Sequence, residues 1–440
     1  MSRIGFVTLT LALMLAPATR ATAAPLDEIP AQLSLDQAVQ IARVHQPQLR
    51  QAHAQTEVAA ARADEGRAPL LPQVNANASY LYFDYNKSSG ATVGSGGIVG
   101  ASAPAVFSAG VSGSQLIYDF GNNWAKWRAA QASENAQRET EQATALTVIM
   151  TVRTTFFGAR AGKALVAVAR ETLDNQNRHL AQVQAFVEVG TRPEIDLAQA
   201  RADQATAELQ LINAQSNYAT ARAQLRQAMG VDGNADFDVT DETIPPVSGE
   251  TAKPDDLTDQ ALGARPEFRS LAEQLRAAEL AIRAVKGTFG PALSLTGSGS
   301  YRKPQGENQP DSWVLSGGLS LSWSLLEGGL ERGRLRENNA NLASLRAGVD
   351  LLRQQITLEV EQARVAVTSS KAAIGAADKA LTNTRERLRL AEARYQTGVG
   401  NAIELGDAQL AVTNAGVQKL QAEFQLGVAR AQLLKALGQS

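Results

Sequence analysis

Ala221-Arg222-Ala223-Gln224-Leu225 recurs as Ala429-Arg430-Ala431-Gln432-Leu433, and a glycine follows each copy five residues later, at Gly230 and Gly438. The offset of 208 also maps Gly121 onto Gly329, Asp119 onto Glu327, Gly190 onto Gly398, Ile195 onto Ile403, Asp196 onto Glu404 and Leu197 onto Leu405. Upstream the offset becomes 219, carrying Pro47 to Pro266, Pro72 to Pro291 and Tyr82 to Tyr301. The second copy is therefore shorter between its tyrosine and its acid, which marks a loop. Copies this long are not solenoid repeats; they are one domain duplicated within a single architecture.

The segments around the quoted pentapeptides carry a helical seam. Leu197, Ala200, Gln204, Ala207, Leu211, Ala214, Tyr218, Ala221, Leu225 and Ala228 alternate steps of three and four, and Leu405 to Ala436 reproduce them with Lys419 as the polar interruption. Alanine at alternate knobs lets helices approach closely, which suits a wall of side-by-side helices. From Gly121 to Gly190 and from Gly329 to Gly398 the chain runs 69 residues without proline. At about 1.5 Å per residue each interval makes a helix of roughly 100 Å. Leu342, Leu345, Val349, Leu352, Ile356, Val360, Ala363 and Val367 give the second one a heptad-like seam.

Before each long helix the period drops to two. Val74, Ala76, Ala78, Tyr80 and Tyr82 alternate with polar residues, as do Leu293 to Tyr301. The cleanest alternation sets Trp313, Leu315, Gly317, Leu319, Leu321, Trp323 and Leu325 against Ser316 to Ser324. Ten tilted strand residues separate the two tryptophans by about 25 Å, the height of a lipid-facing band bounded by aromatic girdles. Trp313, Trp323, Tyr80 and Tyr82 are the expected girdle. Polar or glycine-rich loops join the paired strands, over Lys87 to Val106 and Arg302 to Ser312.

Composition narrows the class. The chain has no cysteine, excluding disulfides and thiolate chemistry. Arg3, an apolar run from Ile4 to Ala16 and Ala21-Thr22-Ala23 read as a secretory signal over residues 1–23. Net charge is −2, too mild to suggest nucleic acid, and aromatics make up 5%. His45, His53 and His179 are dispersed, and no arrangement for catalysis, metal or cofactor binding stands out. The domain reading is a first repeat over 24–230, a linker over 231–256 and a second repeat over 257–440. Strands are expected near 72–84, 106–119, 291–302 and 312–326, and helices near 122–189, 194–229, 330–397 and 402–437. Four strands cannot close a barrel, so several chains must share one.

The duplicated helix-hairpin-helix units, the strand exits at Gly121 and Gly329, and the paired turns Phe186 to Thr191 and Tyr395 to Val399 resemble the TolC-like outer-membrane efflux family. That resemblance implies a mainly α fold with a transmembrane β part. In a homotrimer it would form a 12-stranded barrel continuous with a 12-helix periplasmic barrel. It further implies a non-enzymatic exit duct partnered by outer-membrane lipid, a periplasmic adaptor protein and an inner-membrane transporter. Small-molecule efflux and type I polypeptide secretion share this structure. A periplasmic scaffold or adhesin whose strands form a soluble sandwich is the reading from another class.

By the same resemblance Glu404 and Asp407 line the closed tip, three apart and so on one helical face. Asp196 is the first-repeat equivalent of Glu404, and Tyr395 matches a family tyrosine that helps hold the tip shut. The family's arginine after the second turn is absent: Gly400 stands there, while Arg192 holds the equivalent place in the first repeat. Arg192 is expected to pair with an acid at the tip. The turns at Val189, Gly190 and Thr191, and at Gly398 and Val399, are the expected adaptor-docking points, with both glycines ending their helices in left-handed conformation.

Overall fold

The computed structural model describes residues 30–82, 105–233, 236–243, 245–250, 254–305 and 310–439. The expected signal segment lies outside them, as does the first hairpin loop apart from Ala105 and Val106, which open a strand. Chain order is β1 (Gln32–Leu33), α1 (Leu35–His45), α2 (Pro47–Arg67, ending in the short turn Ala68–Leu70), β2 (Gln73–Tyr82), β3 (Ala105–Tyr118), α3 (Asn122–Glu188) and α4 (Glu194–Met229). There follow β4 (Asp238–Val239), α5 (Pro254–Ala264), α6 (Pro266–Gly287), β5 (Ala292–Gln305), β6 (Ser312–Ser322), α7 (Leu330–Gln396) and α8 (Ala402–Ala436).

The two long helices hold 67 residues each, about 100 Å at the helical rise. Each starts directly after a glycine in left-handed conformation, Gly121 at φ 79° and Gly329 at φ 86°. Shorter helices stack end to end beside them. Gln46, at the start of α2, donates from Nε2 to the carbonyls of Gln227 (3.3 Å) and Ala228 (2.8 Å) at the end of α4. Arg265, its equivalent by the 219 offset, donates from Nε to the Ala436 carbonyl at 2.8 Å and pairs with Glu359 at 2.7 Å. These bonds satisfy helix-end carbonyls that would otherwise lack partners. Gly230 is required at the first junction, because a Cβ there would sit 2.5 Å from Gln46 Cα.

A belt of extra structure lies over the middle of the long helices. β1 pairs in parallel with β4, and α1 buries Ala38, Val39 and Ala42 against Val152, Phe156 and Leu225 in the main core. The segment 231–256, expected as a linker or equatorial segment, holds β4 and the start of α5; a two-residue strand is too short to leave a periodic signal. The belt is tied to both repeats by equivalent bases. Lys163 bonds Asp238 at 2.6 Å while Arg222 pairs with Asp236. In the second repeat Lys371 and Arg430 both grip Glu250, Arg430 at 2.9 Å. Burial opposes ionisation of Asp238 and Glu250, yet these hydrogen bonds outweigh it and hold both carboxyls below their usual range.

The four long strands form one antiparallel sheet ordered β2-β3-β5-β6. Its register places Tyr82, Tyr80, Ala78 and Val74, then Phe107 and Val111, Leu293 and Leu295, and Trp313, Leu315, Leu319 and Leu321 on one face. The other face is Asn75, Asn77, Ser79, Ser108, Ser112, Thr296, Ser298, Ser316 and Ser320. Hydroxyl pairs cross that face, Ser79 to Ser108 and Ser298 to Ser316, each at 2.8 Å. The last strand stops at Ser322 and not at residue 326. Ser322 pairs with Ala292, and the next partner would be Pro291, which has no N–H to extend the ladder. Trp323 thus lies just past the strand, where its indole N–H donates to the Phe289 carbonyl at 3.0 Å. β5 runs three residues beyond the expected 302, to Gln305.

Candidate functional site at the helical tip

The two long helices end in the same way. Gly190 and Gly398 both adopt φ 78°. Thr191 N–H reaches back to Phe186 O (2.9 Å) and Val399 N–H to Arg394 O (3.1 Å), the six-to-one bond of a left-handed helix stop. The return helices start differently. Pro193 precedes α4, whereas Asn401 caps α8 by accepting the Glu404 N–H on Oδ1 at 2.7 Å.

Beneath the turns a small core gathers Val183, Ala200, Ala391, Leu405 and Ala408 around Tyr395. Tyr395 is only 2% exposed, and its hydroxyl has no hydrogen-bond partner among the described residues. Burial raises its pKa, and Arg192 pulls the other way. Arg192 lies over one face of the ring, its guanidinium carbon 4.7 Å from the centroid, and His179 meets the ring at 5.4 Å with planes 63° apart. Burial pushes the His179 pKa down, with Asp203 and Asp196 opposing.

The expected pairing of Arg192 with an acid takes a looser form. Asp196 is 3.9 Å away, beyond hydrogen-bond range, and Arg192 Nη2 instead donates to the Gly400 carbonyl at 3.4 Å. The stronger relation is with the Tyr395 ring, which neither charge nor position along the chain advertised. Gly400 is buried, and a Cβ there would come within 3.1 Å of the Arg394 carbonyl carbon and Tyr395 nitrogen. A side chain at that position would press on the end of α7, which must yield by a few tenths of an ångström to take it.

Glu404 and Asp407 lie at the start of α8. Glu404 is not free: Arg394 Nε approaches it at 3.3 Å. Asp407 is exposed and makes no ion pair among the described residues. Sequence reading missed Arg394 and set His179 aside; both act across helices, which no local pattern reports. Val189 and Val399 are 78% and 72% exposed, and Ile195 and Ile403 are 72% each. Those two isoleucines are equivalent by the repeat offset, a signal that could have added them to the turn surface.

Among the described residues no group of side chains could hold a metal ion, and no helix is long and apolar enough to cross a membrane. A profile of the outer membrane efflux protein family matches residues 38–231 and 257–439. Outer membrane protein TolC of Escherichia coli (strain K12) is 25% identical over 424 residues, covering 92% of this chain and 82% of TolC. The pyoverdine export outer membrane protein OpmQ of Pseudomonas aeruginosa is 25% identical, covering 92% of this chain and 85% of OpmQ. The solved structure of CusC, described with transmembrane channel formation, superposes with a TM-score of 0.79 at 20% identity, covering 96% of both chains.

Proposed function

This chain belongs to the outer membrane efflux protein family, and from that premise we propose that it is the outer-membrane exit duct of a tripartite pump for small molecules. Three copies complete a barrel of twelve strands and a periplasmic tunnel of twelve helices. The observation that carries the reading is the sheet: four strands with open edges at β2 and β6, apolar on one face and hydroxyl-lined on the other. A soluble sandwich would bury one of these faces, and the hydroxyl face suits water in a lumen while the apolar face suits lipid. Four strands close only by sharing a barrel with other copies.

Energy comes from an inner-membrane transporter, and the duct itself is gated. Val189, Gly190, Thr191, Gly398 and Val399, with Ile195 and Ile403, present apolar side chains and bare backbone to an adaptor protein at the turns. Adaptor binding draws the turns apart, lifts Arg192 from Tyr395 and opens the tip ring at Asp407 and Glu404, with Asp196 behind it. Relatives named for export of pyoverdine or efflux of toluene support small-molecule cargo. The deciding experiment is single-channel conductance of the detergent-extracted protein in planar bilayers, with and without a trivalent cation on the tip side. Small cation-selective openings that the trivalent ion blocks are expected. No conductance from a monomeric protein refutes the duct.

A further inference from the structure

The two strand exits differ in one strained residue. Phe120 adopts φ 54°, the sole non-glycine at positive φ among the described residues, and its equivalent in the second repeat is Gly328 at φ 60°. A side chain in that region costs about 1 kcal/mol that glycine avoids. The first repeat therefore accepts strain to keep a ring where the second does without one. The ring stacks on Tyr118 with centroids 5.0 Å apart, shuts down on Gly290, where a Cβ would collide with it, and stays 50% exposed. One helical turn on, Trp124 is 51% exposed and meets Trp127 edge-on at 4.9 Å. Arg128 stands over both indoles, at 5.5 and 5.7 Å. The second-repeat equivalents of these three are Arg332, Leu335 and Arg336, so the aromatic platform is confined to the first exit.

Phe120, Trp124 and Arg128 line a cavity of about 710 Å³ closed on the other side by Leu280 and Arg283 of α6. Its charge is unbalanced. Among the described residues Arg128 hydrogen-bonds only Gln131 and Arg283 has no ion-pair partner, while Glu279 turns toward Arg346 at 3.6 Å and Arg276 toward Glu273 at 3.7 Å. Position along α3 and in the sheet both bear on the side of the wall it opens on. Residues seven apart from Arg128 down α3 are Asn135, Gln142, Ile149 and Phe156, and the last two sit in the core under the equatorial belt. Tyr118, stacked on Phe120, pairs with Leu293 on the apolar face of the sheet. The cavity thus lies on the same side as the apolar face, within about 9 Å of the strand ends by helical rise.

We infer that this cavity holds the phosphate of a glycerophospholipid from the inner leaflet of the outer membrane. Arg128 and Arg283 donate to the phosphate oxygens, and Phe120 and Trp124 lie along the glycerol and the first acyl carbons. Guanidinium forks match phosphate geometry, and amphipathic aromatics favour the headgroup level. The site anchors each copy at a set depth, and it rests on the outer-membrane reading above.

The test uses the full chain reconstituted in vesicles of phosphatidylethanolamine and phosphatidylglycerol, then released gently for native mass spectrometry. The wild type is expected to retain phospholipid. R128Q with R283Q is expected to weaken retention about tenfold, R128K with R283K less, and F120G several-fold, with helical circular dichroism unchanged in each. Equal retention by the wild type and the double glutamine variant overturns the site, as does binding of inorganic phosphate as tight as that of the lipid. Vesicle flotation separates the two failures. A wild type that does not float with vesicles overturns the membrane reading and this site with it, whereas floating with unaltered retention in the double variant overturns the site alone.

Discussion

Arg192 and Gly400 hold equivalent places in the two repeats, and they touch: Arg192 Nη2 donates to the Gly400 carbonyl at 3.4 Å. The small residue on one turn makes room for the large one on the other, and the guanidinium that fills the space covers Tyr395. An arginine of the first repeat thus packs against the turn and the tyrosine of the second.

Removing that arginine exposes the ring and frees the carbonyl, a loss of about 1–2 kcal/mol for a partly desolvated cation–π contact. R192A is expected to raise single-channel conductance and to sensitise cells to bulky antibiotics. R192K, which keeps charge without the planar face, falls between. Moving the arginine by G400R is expected to restore closure in R192A poorly, because the 3.1 Å approaches at Gly400 make a Cβ press on Arg394 and Tyr395. Unchanged conductance and sensitivity in R192A dismiss this latch.

In the proposed gate, His179 should make closure depend on pH. Its folded pKa is depressed, chiefly by burial, so the folded tip resists a proton that the opened tip accepts. The sign follows: the closed state is fully stable above the ordinary histidine value of about 6.5 and loses stability as pH falls below it. Conductance recorded from pH 8 to pH 5.5 should rise on the acid side. H179Q should flatten that profile, and a profile identical to wild type removes His179 from the gate.

The acids at the tip predict the response to multivalent cations. Asp407 is exposed and without an ion pair among the described residues, whereas Glu404 is engaged by Arg394. D407A alone should abolish most of the trivalent block, E404A less, and the double variant all of it. Equal block in wild type and double variant would place the constriction elsewhere.

Glu250 should be the most acid-sensitive tie of the equatorial belt. Its side chain is 4% exposed between Lys371 and Arg430, and that of Arg430 is 11% exposed. E250Q removes the charge that Arg430 and the half-exposed Lys371 share, a cost of about 1–3 kcal/mol for charge-assisted hydrogen bonds. Because the folded pKa is depressed, the stabilisation is present above the unfolded value near 4.3 and fades as pH falls through the folded one. Thermal unfolding by circular dichroism should show E250Q with a lower Tm at pH 7 and a smaller deficit near pH 3. A deficit independent of pH would assign the loss to packing.

By itself the sequence determined everything that repeats along the chain at short range. Helix stops at Gly190 and Gly398 follow from a conformation that only glycine adopts cheaply, and the seam from Leu405 to Ala436 from the helical period. The two faces of the sheet follow from the pleat, whose period of two leaves no other assignment for Trp313 to Leu321. The tertiary structure alone decided what lies across the wall. Gln46 reaches Ala228, β1 finds β4, and Arg192 and His179 converge on Tyr395 because long helices bring together residues about two hundred apart in the chain. Such meetings depend on how helices cross and how far each side chain reaches, quantities that no local period carries.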